Sequence, residues 1–150
     1  MKPLALVFVA AVDRRVLPAL ALAPRFSDGD VRAVHVAFDV AASNRLARDW
    51  MDLNITWPPL HIEEPTAPTL ALTVRDLVLR ELRGRDRVTV LIPELTINRW
   101  WQPLLHRGTG RAIAWSLADL DGVTTVVLPV AVSLPQRPHR DTSRPTLRRA

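Results

Sequence analysis

Short apolar runs alternate along the chain with segments whose apolar residues recur at helical spacing. Leu4 to Val12 is nearly continuous apolar sequence, the pattern of a central parallel strand buried on both faces. Arg14 to Ala23 reads as a helix, with Pro18 tolerated in its first turn and Pro24 closing it. Val31 to Phe38 is a second strand. From Ala41 to Leu53, residues Ala42, Leu46, Trp50 and Leu53 share one helical face, which should lie on the sheet. Leu60 to Ile62 is a short third strand, and Pro58, Pro59 and Pro65 around it suit a sheet edge.

Leu70, Val74, Leu77 and Val78 then define a helix that ends near Gly84. Arg87 to Glu94 is a fourth strand. A last helix begins near Thr109, is marked by Ile113, Leu117 and Leu120, and stops before Asp121-Gly122; Val123 to Val132 is the final strand. Strands alternating with helices predict an α/β fold: a three-layer, doubly wound, parallel five-stranded sheet ordered 3-2-1-4-5. No internal repeat is visible.

Composition narrows the picture. At 150 residues the chain is expected to form one domain. It has no cysteine, which removes disulfides and thiolate metal sites and favours a reducing, cytoplasmic setting. The net charge is +5, with Lys2 the only lysine. Much of that excess follows Leu134, in "PQRPHRDTSRPTLRRA", so residues 135–150 are expected to be a disordered tail rich in proline and arginine. The remainder is close to neutral, which argues against general nucleic-acid binding. No apolar run reaches the roughly 20 residues of a membrane span. The opening "MKPLALVFVAAVDRR" lacks a cleavage pattern and reads as a buried strand.

Ligands of doubly wound sheets sit beyond the carboxyl ends of the strands, where the strand order reverses. With this order the crevice lies between strands one and four. "AAVDRR" after the first then faces "PELTINRWWQPLLHRGTGR" after the fourth. A helix beginning near Thr109 offers unpaired N–H groups and a partial positive charge to an anion. Gly108 and Gly110 admit a phosphate close to the backbone, and His106, Arg107, Arg111 and the Thr109 hydroxyl add donors. The competing reading makes Gly108 a simple turn and Thr109 a simple helix cap. Asp13 is either an acceptor for a base or ribose or a cap. Val36, late in strand two, is expected to line the base pocket.

Trp100 and Trp101 read as a lid on the domain's own core more readily than as a stacking platform. His35 is expected to be structural. His61 with Glu63 and Glu64 lacks a third ligand at metal spacing. No nucleophile is accompanied by a base, so no catalytic residue is assigned and the chain is not expected to be an enzyme.

Several stretches together, "AAVD", "VRAVHVAFDV", "RDW", "VTVLIPEL", "RWWQPLLHRGT" and "VVLPV", resemble the universal-stress-protein-like cytoplasmic C-terminal domain of bacterial amino acid permeases of the amino acid-polyamine-organocation superfamily. The resemblance covers Pro3 to about Val132. It implies the universal stress protein fold, also that of the adenine nucleotide alpha hydrolases, over residues 1–134, and a sensor of an adenine nucleotide. Cyclic di-AMP is the expected ligand, with ATP or AMP as alternatives and no resident cofactor. Of the ATP-binding signature of that group only the closing Gly-Ser/Thr has a counterpart, in Gly108-Thr109. The resemblance further implies a homodimer through the last strand and association with a membrane transporter at its inner face. The alternatives are a ligand-free dimerisation module and, last, a small α/β hydrolase.

Overall fold

A computed structural model of the chain describes residues 2–10, 12, 16–96 and 108–131. Five strands, β1 (Leu4–Phe8), β2 (Val31–Val36), β3 (Leu60–Glu63), β4 (Val88–Thr96) and β5 (Val123–Ala131), form one sheet in the order β3-β2-β1-β4-β5. Every pairing is parallel: Val7 lies opposite Ala33 of β2 and Leu91 of β4, while Thr96 lies opposite Ala131 at the far end of β4–β5. The connecting helices are α1 (Val16–Leu22), α2 (Val40–Asp52), α3 (Leu70–Leu82) and α4 (Gly108–Leu117). A parallel sheet requires a crossover after each strand. Each helix therefore returns against the strands and starts at their carboxyl ends.

Side-chain alternation along the strands divides the core in two. On one face Ala5, Val7, Val31, Ala33 and Leu91 pack with Val16, Ala19 and Leu20 of α1 and with Leu46 and Trp50 of α2. On the other, Leu4, Leu6, Val34, Val36, Val88 and Val90 pack with Val74, Leu77 and Val78 of α3 and with Ile113 and Leu117 of α4. Removing each such aliphatic side chain from water contributes about 1.5–3 kcal/mol. The result is the three-layer doubly wound sheet expected from the alternating pattern.

Local departures have physical causes. Pro24 does not end the first helical segment but sits inside a 3-10 turn, Ala23–Phe26, where a missing N–H is harmless. In α2 the buried polar residue is Ser43 rather than the neighbouring Ala42, because its hydroxyl has partners. Leu53 falls beyond the last helical residue and is half exposed. The first strand ends at Phe8, although Val9 continues its pairing by donating its N–H to the Val34 carbonyl at 2.9 Å. The expectation of disorder for residues 135–150 lies outside the described residues.

Candidate functional site

The strand order reverses beside β1, which is flanked by β2 and β4. Four helices open at that rim, and the residues that precede α2, α3 and α4 differ in chemistry. Asp39 precedes α2 and its carboxylate accepts the Ala41 N–H at 2.9 Å. Thr69 precedes α3 and its hydroxyl accepts the Leu72 N–H at 3.3 Å. Each supplies the side-chain oxygen that the first turn of a helix needs. Arg107 precedes α4 in sequence, and a guanidinium has no acceptor atom. The residue before Gly108-Thr109-Gly110 in sequence therefore has no side-chain oxygen to offer, and its placement lies outside the described residues.

The sequence-predicted residues separate into three groups. Gly108, Thr109 and Gly110 form the first turn of α4; Gly110 is buried and Arg111, next along, is exposed. Val36 ends β2 and is buried among Phe8, Val34 and Val74 in the core beneath α3. Asp13, His106 and Arg107 lie outside the described residues, as do Trp100 and Trp101. The structure thereby fixes the helix start in this sheet, with β4 running past the register of β1 to reach Thr96.

His35 is buried at the end of β2. Its Nδ1 lies 2.8 Å from the Val9 carbonyl and its Nε2 3.1 Å from Ser43 Oγ, which in turn reaches the Asp39 carbonyl at 3.0 Å. The Nδ1 contact is a donor contact, since a carbonyl only accepts. The side chain ties the end of β1 to the first turn of α2, a structural role.

A second connection holds α4 to α3. Arg75 donates to the Ser116 carbonyl and to both oxygens of Asp119, the second at 2.9 Å, and Ser116 donates to the Ala71 carbonyl at 3.2 Å. The hydrogen bonds from Arg75, with its positive charge, hold the Asp119 carboxyl below its ordinary range, and the Asp119 hydrogen bond raises Arg75. Sequence reasoning missed this clamp, because residues of α3 and α4 become neighbours only once β4 and its connections are in place. Glu63 is paired with Arg80 at 3.1 Å. Among the described residues no group of three His, Asp or Glu side chains is placed to hold a metal ion.

Comparison with known families identifies a relationship that this geometry alone leaves open. The family model described as the KimA potassium transporter C-terminal domain matches residues 1–130. The chain belongs to that family. No curated protein matches it. Membership of the KimA C-terminal domain family corrects the resemblance to amino acid permease domains of universal-stress-protein type. Three of the six stretches that carried it, "VRAVHVAFDV", "VTVLIPEL" and "VVLPV", fall on β2, β4 and β5. Their apolar residues are dictated by burial in a parallel sheet, so they report strand order rather than lineage. The family also makes the chain a domain of a membrane transporter. Among the described residues no helix is long and apolar enough to cross a membrane.

Proposed function

We propose that the chain is the regulatory domain of a potassium transporter, that it lies on the cytoplasmic side, and that it acts by binding an adenine nucleotide rather than by catalysis. Cyclic di-AMP is the preferred ligand, ahead of ATP and AMP. The observation that carries this reading is the start of α4. A helix at the reversal point of a doubly wound sheet opens on Gly-Thr-Gly with Arg107 where α2 and α3 have Asp39 and Thr69. Unpaired N–H groups and the helix dipole favour a phosphate there by about 0.3–1 kcal/mol per charge. Arg107 and Arg111, which flank the turn in sequence, are assigned as charge-assisted donors to the phosphate, and Asp13 and the region of Val36 are assigned to the base. Membership of a transporter-domain family supports a sensor over an enzyme.

A homodimer through β5 belongs to the same proposal. β5 is an edge strand paired only with β4 among the described strands, and its Val126, Val127 and Leu128 are only partly buried. An apolar edge of this kind favours association, and a twofold ligand such as cyclic di-AMP suits two copies of one site. Calorimetric titration with ATP, AMP and cyclic di-AMP tests the reading. Arg111→Ala should weaken binding by about tenfold or more, Gly108→Val should do as much by blocking the backbone approach, and Arg148→Ala should change nothing. A parent chain that binds no adenine nucleotide, or variants that all bind like the parent, would leave a ligand-free dimerisation module as the better account.

A further inference from the structure

Isoaspartate forms where the backbone nitrogen that follows an aspartate reaches that residue's own carboxyl, and a glycine there leaves the nitrogen unhindered. Of the aspartates and asparagines in the chain, only Asp28 and Asp121 precede a glycine. Both pairs lie in exposed turns, Asp28-Gly29 between the 3-10 turn and β2 and Asp121-Gly122 between α4 and β5. The fold separates them.

Asp28-Gly29 is anchored only at its flanks. Before it Ser27 donates its N–H to the Pro24 carbonyl at 3.3 Å, and after it the Asp30 carbonyl accepts the Ala5 N–H at 3.0 Å. Between these anchors neither Asp28 nor Gly29 makes a hydrogen bond or an ion pair among the described residues. Gly29 has φ +94°, and nothing lies within 4 Å of the place a Cβ would take. Gly122 is held instead. Its carbonyl accepts the Val88 N–H at 2.9 Å where β4 and β5 begin to pair, and a Cβ on it would lie 2.8 Å from the Asp86 carbonyl oxygen. Turning the Asp121-Gly122 peptide toward attack therefore requires the start of β5 to open, whereas the Asp28-Gly29 peptide turns within its own loop.

We propose that Asp28-Gly29 is a site of covalent modification, forming isoaspartate through a succinimide, and that the aged chain is a substrate for enzymes that methylate isoaspartyl carboxyls. The Gly29 nitrogen bonds to Asp28 Cγ, and a carboxyl oxygen leaves as water with the carboxyl and amide protons. Water then adds to one of the ring carbonyls. Opening at Cγ restores aspartate, while opening at the Asp28 main-chain carbonyl carbon routes the backbone through Cβ and Cγ. The two hydrolysis products have the same composition, and nothing is oxidised. The added methylene precedes Asp30, whose carboxylate meets Arg85 at 2.6 Å and Arg32 at 3.7 Å. The modification thus acts at the amino end of the sheet and is independent of nucleotide binding.

The test is to age the 150-residue chain at neutral pH, folded and in urea, and to map digests by mass spectrometry with fragmentation that tells isoaspartate from aspartate. In the folded chain isoaspartate should accumulate at residue 28 about fivefold faster than at residue 121, as expected where one hydrogen-bonded turn must first open. In urea the two rates should converge. An isoaspartyl methyltransferase with labelled S-adenosylmethionine should label the aged folded parent and should label Asp28→Glu several-fold less, since a glutamate side chain is one methylene too long for the succinimide ring. Equal accumulation at the two residues in the folded chain, faster accumulation at residue 121, no isoaspartate at residue 28, or a difference that persists in urea overturns the inference.

Discussion

At the amino end of the sheet Asp30, Arg32, Glu81 and Arg85 close a ring of ion pairs. Arg32 meets Glu81 at 3.1 Å and Asp30 at 3.7 Å, and Arg85 meets Asp30 at 2.6 Å and Glu81 at 3.6 Å. At the carboxyl end α2 and α3 are capped by their own residues, while α4 opens after an arginine. The first region ties β2, α3 and the approach to β4 together, and every charge in the ring has a partner within it. At the second, the residue that precedes α4 lies outside the described residues and its side chain has no acceptor atom. The ion pairs lie at the first end and the proposed binding site at the second, the arrangement expected where a rigid scaffold holds loops that carry function.

Substitutions at the two ends should therefore separate stability from binding. The largest effect is expected at the amino end from Gly122→Val. Gly122 has φ +79°, and a Cβ there would lie 2.8 Å from the Asp86 carbonyl oxygen. The loss should be about 3 kcal/mol in urea unfolding, with nucleotide affinity of the folded fraction unchanged. Glu81→Gln should cost about 1–2 kcal/mol, between the values for exposed and buried pairs, since its side chain is 18% exposed and serves both arginines. At the carboxyl end Gly108→Val should move stability by less than about 0.5 kcal/mol while abolishing most nucleotide binding. A stability loss at Gly108 comparable to that at Gly122 would break the comparison.

The smallest effect concerns the clamp between α3 and α4. Asp119 is held below its ordinary range in the folded state by the hydrogen bonds from Arg75. Its contribution is therefore complete above the unfolded carboxylate pKa, about 3.9, and is lost as pH falls through the lower folded value. Acid titration of Asp119→Asn against the parent should show curves that differ above about pH 4 and converge below it. Parallel curves through that range would show that the clamp does not act through the carboxylate.

The sheet was legible because burial on both faces makes strand-like runs rich in apolar residues: Leu4–Phe8 is unbroken, Val31–Val36 is interrupted only by Arg32 and His35, and Val88–Ile92 only by Thr89. Five such runs separated by helical spacing leave few topologies. Periodicity placed Leu46 and Trp50 correctly, but it substituted Ala42 for Ser43, since hydropathy does not register a hydroxyl that hydrogen-bonds to a buried histidine. At the site, the Gly-Thr-Gly helix start was legible from turn chemistry. The Arg75 clamp was not, because it joins residues 41 and 44 positions apart in the chain. Trp115 also escaped notice as a surface residue, since sequence gives its type and not its 80% exposure. Family membership could not be read from the strands, whose residues answer to burial first.

The central claim is that the start of α4 keeps its N–H groups for a ligand. Arg107→Ser and Arg107→Ala both remove the arginine, but only serine brings a capping oxygen to the first turn. Each variant is to be unfolded in urea and titrated with cyclic di-AMP. The serine variant should be more stable than the alanine variant by about 1 kcal/mol and should bind the nucleotide more weakly, because its hydroxyl competes with the phosphate for the same donors. Equal affinity in the two variants, or tighter binding by the serine variant, would contradict the account.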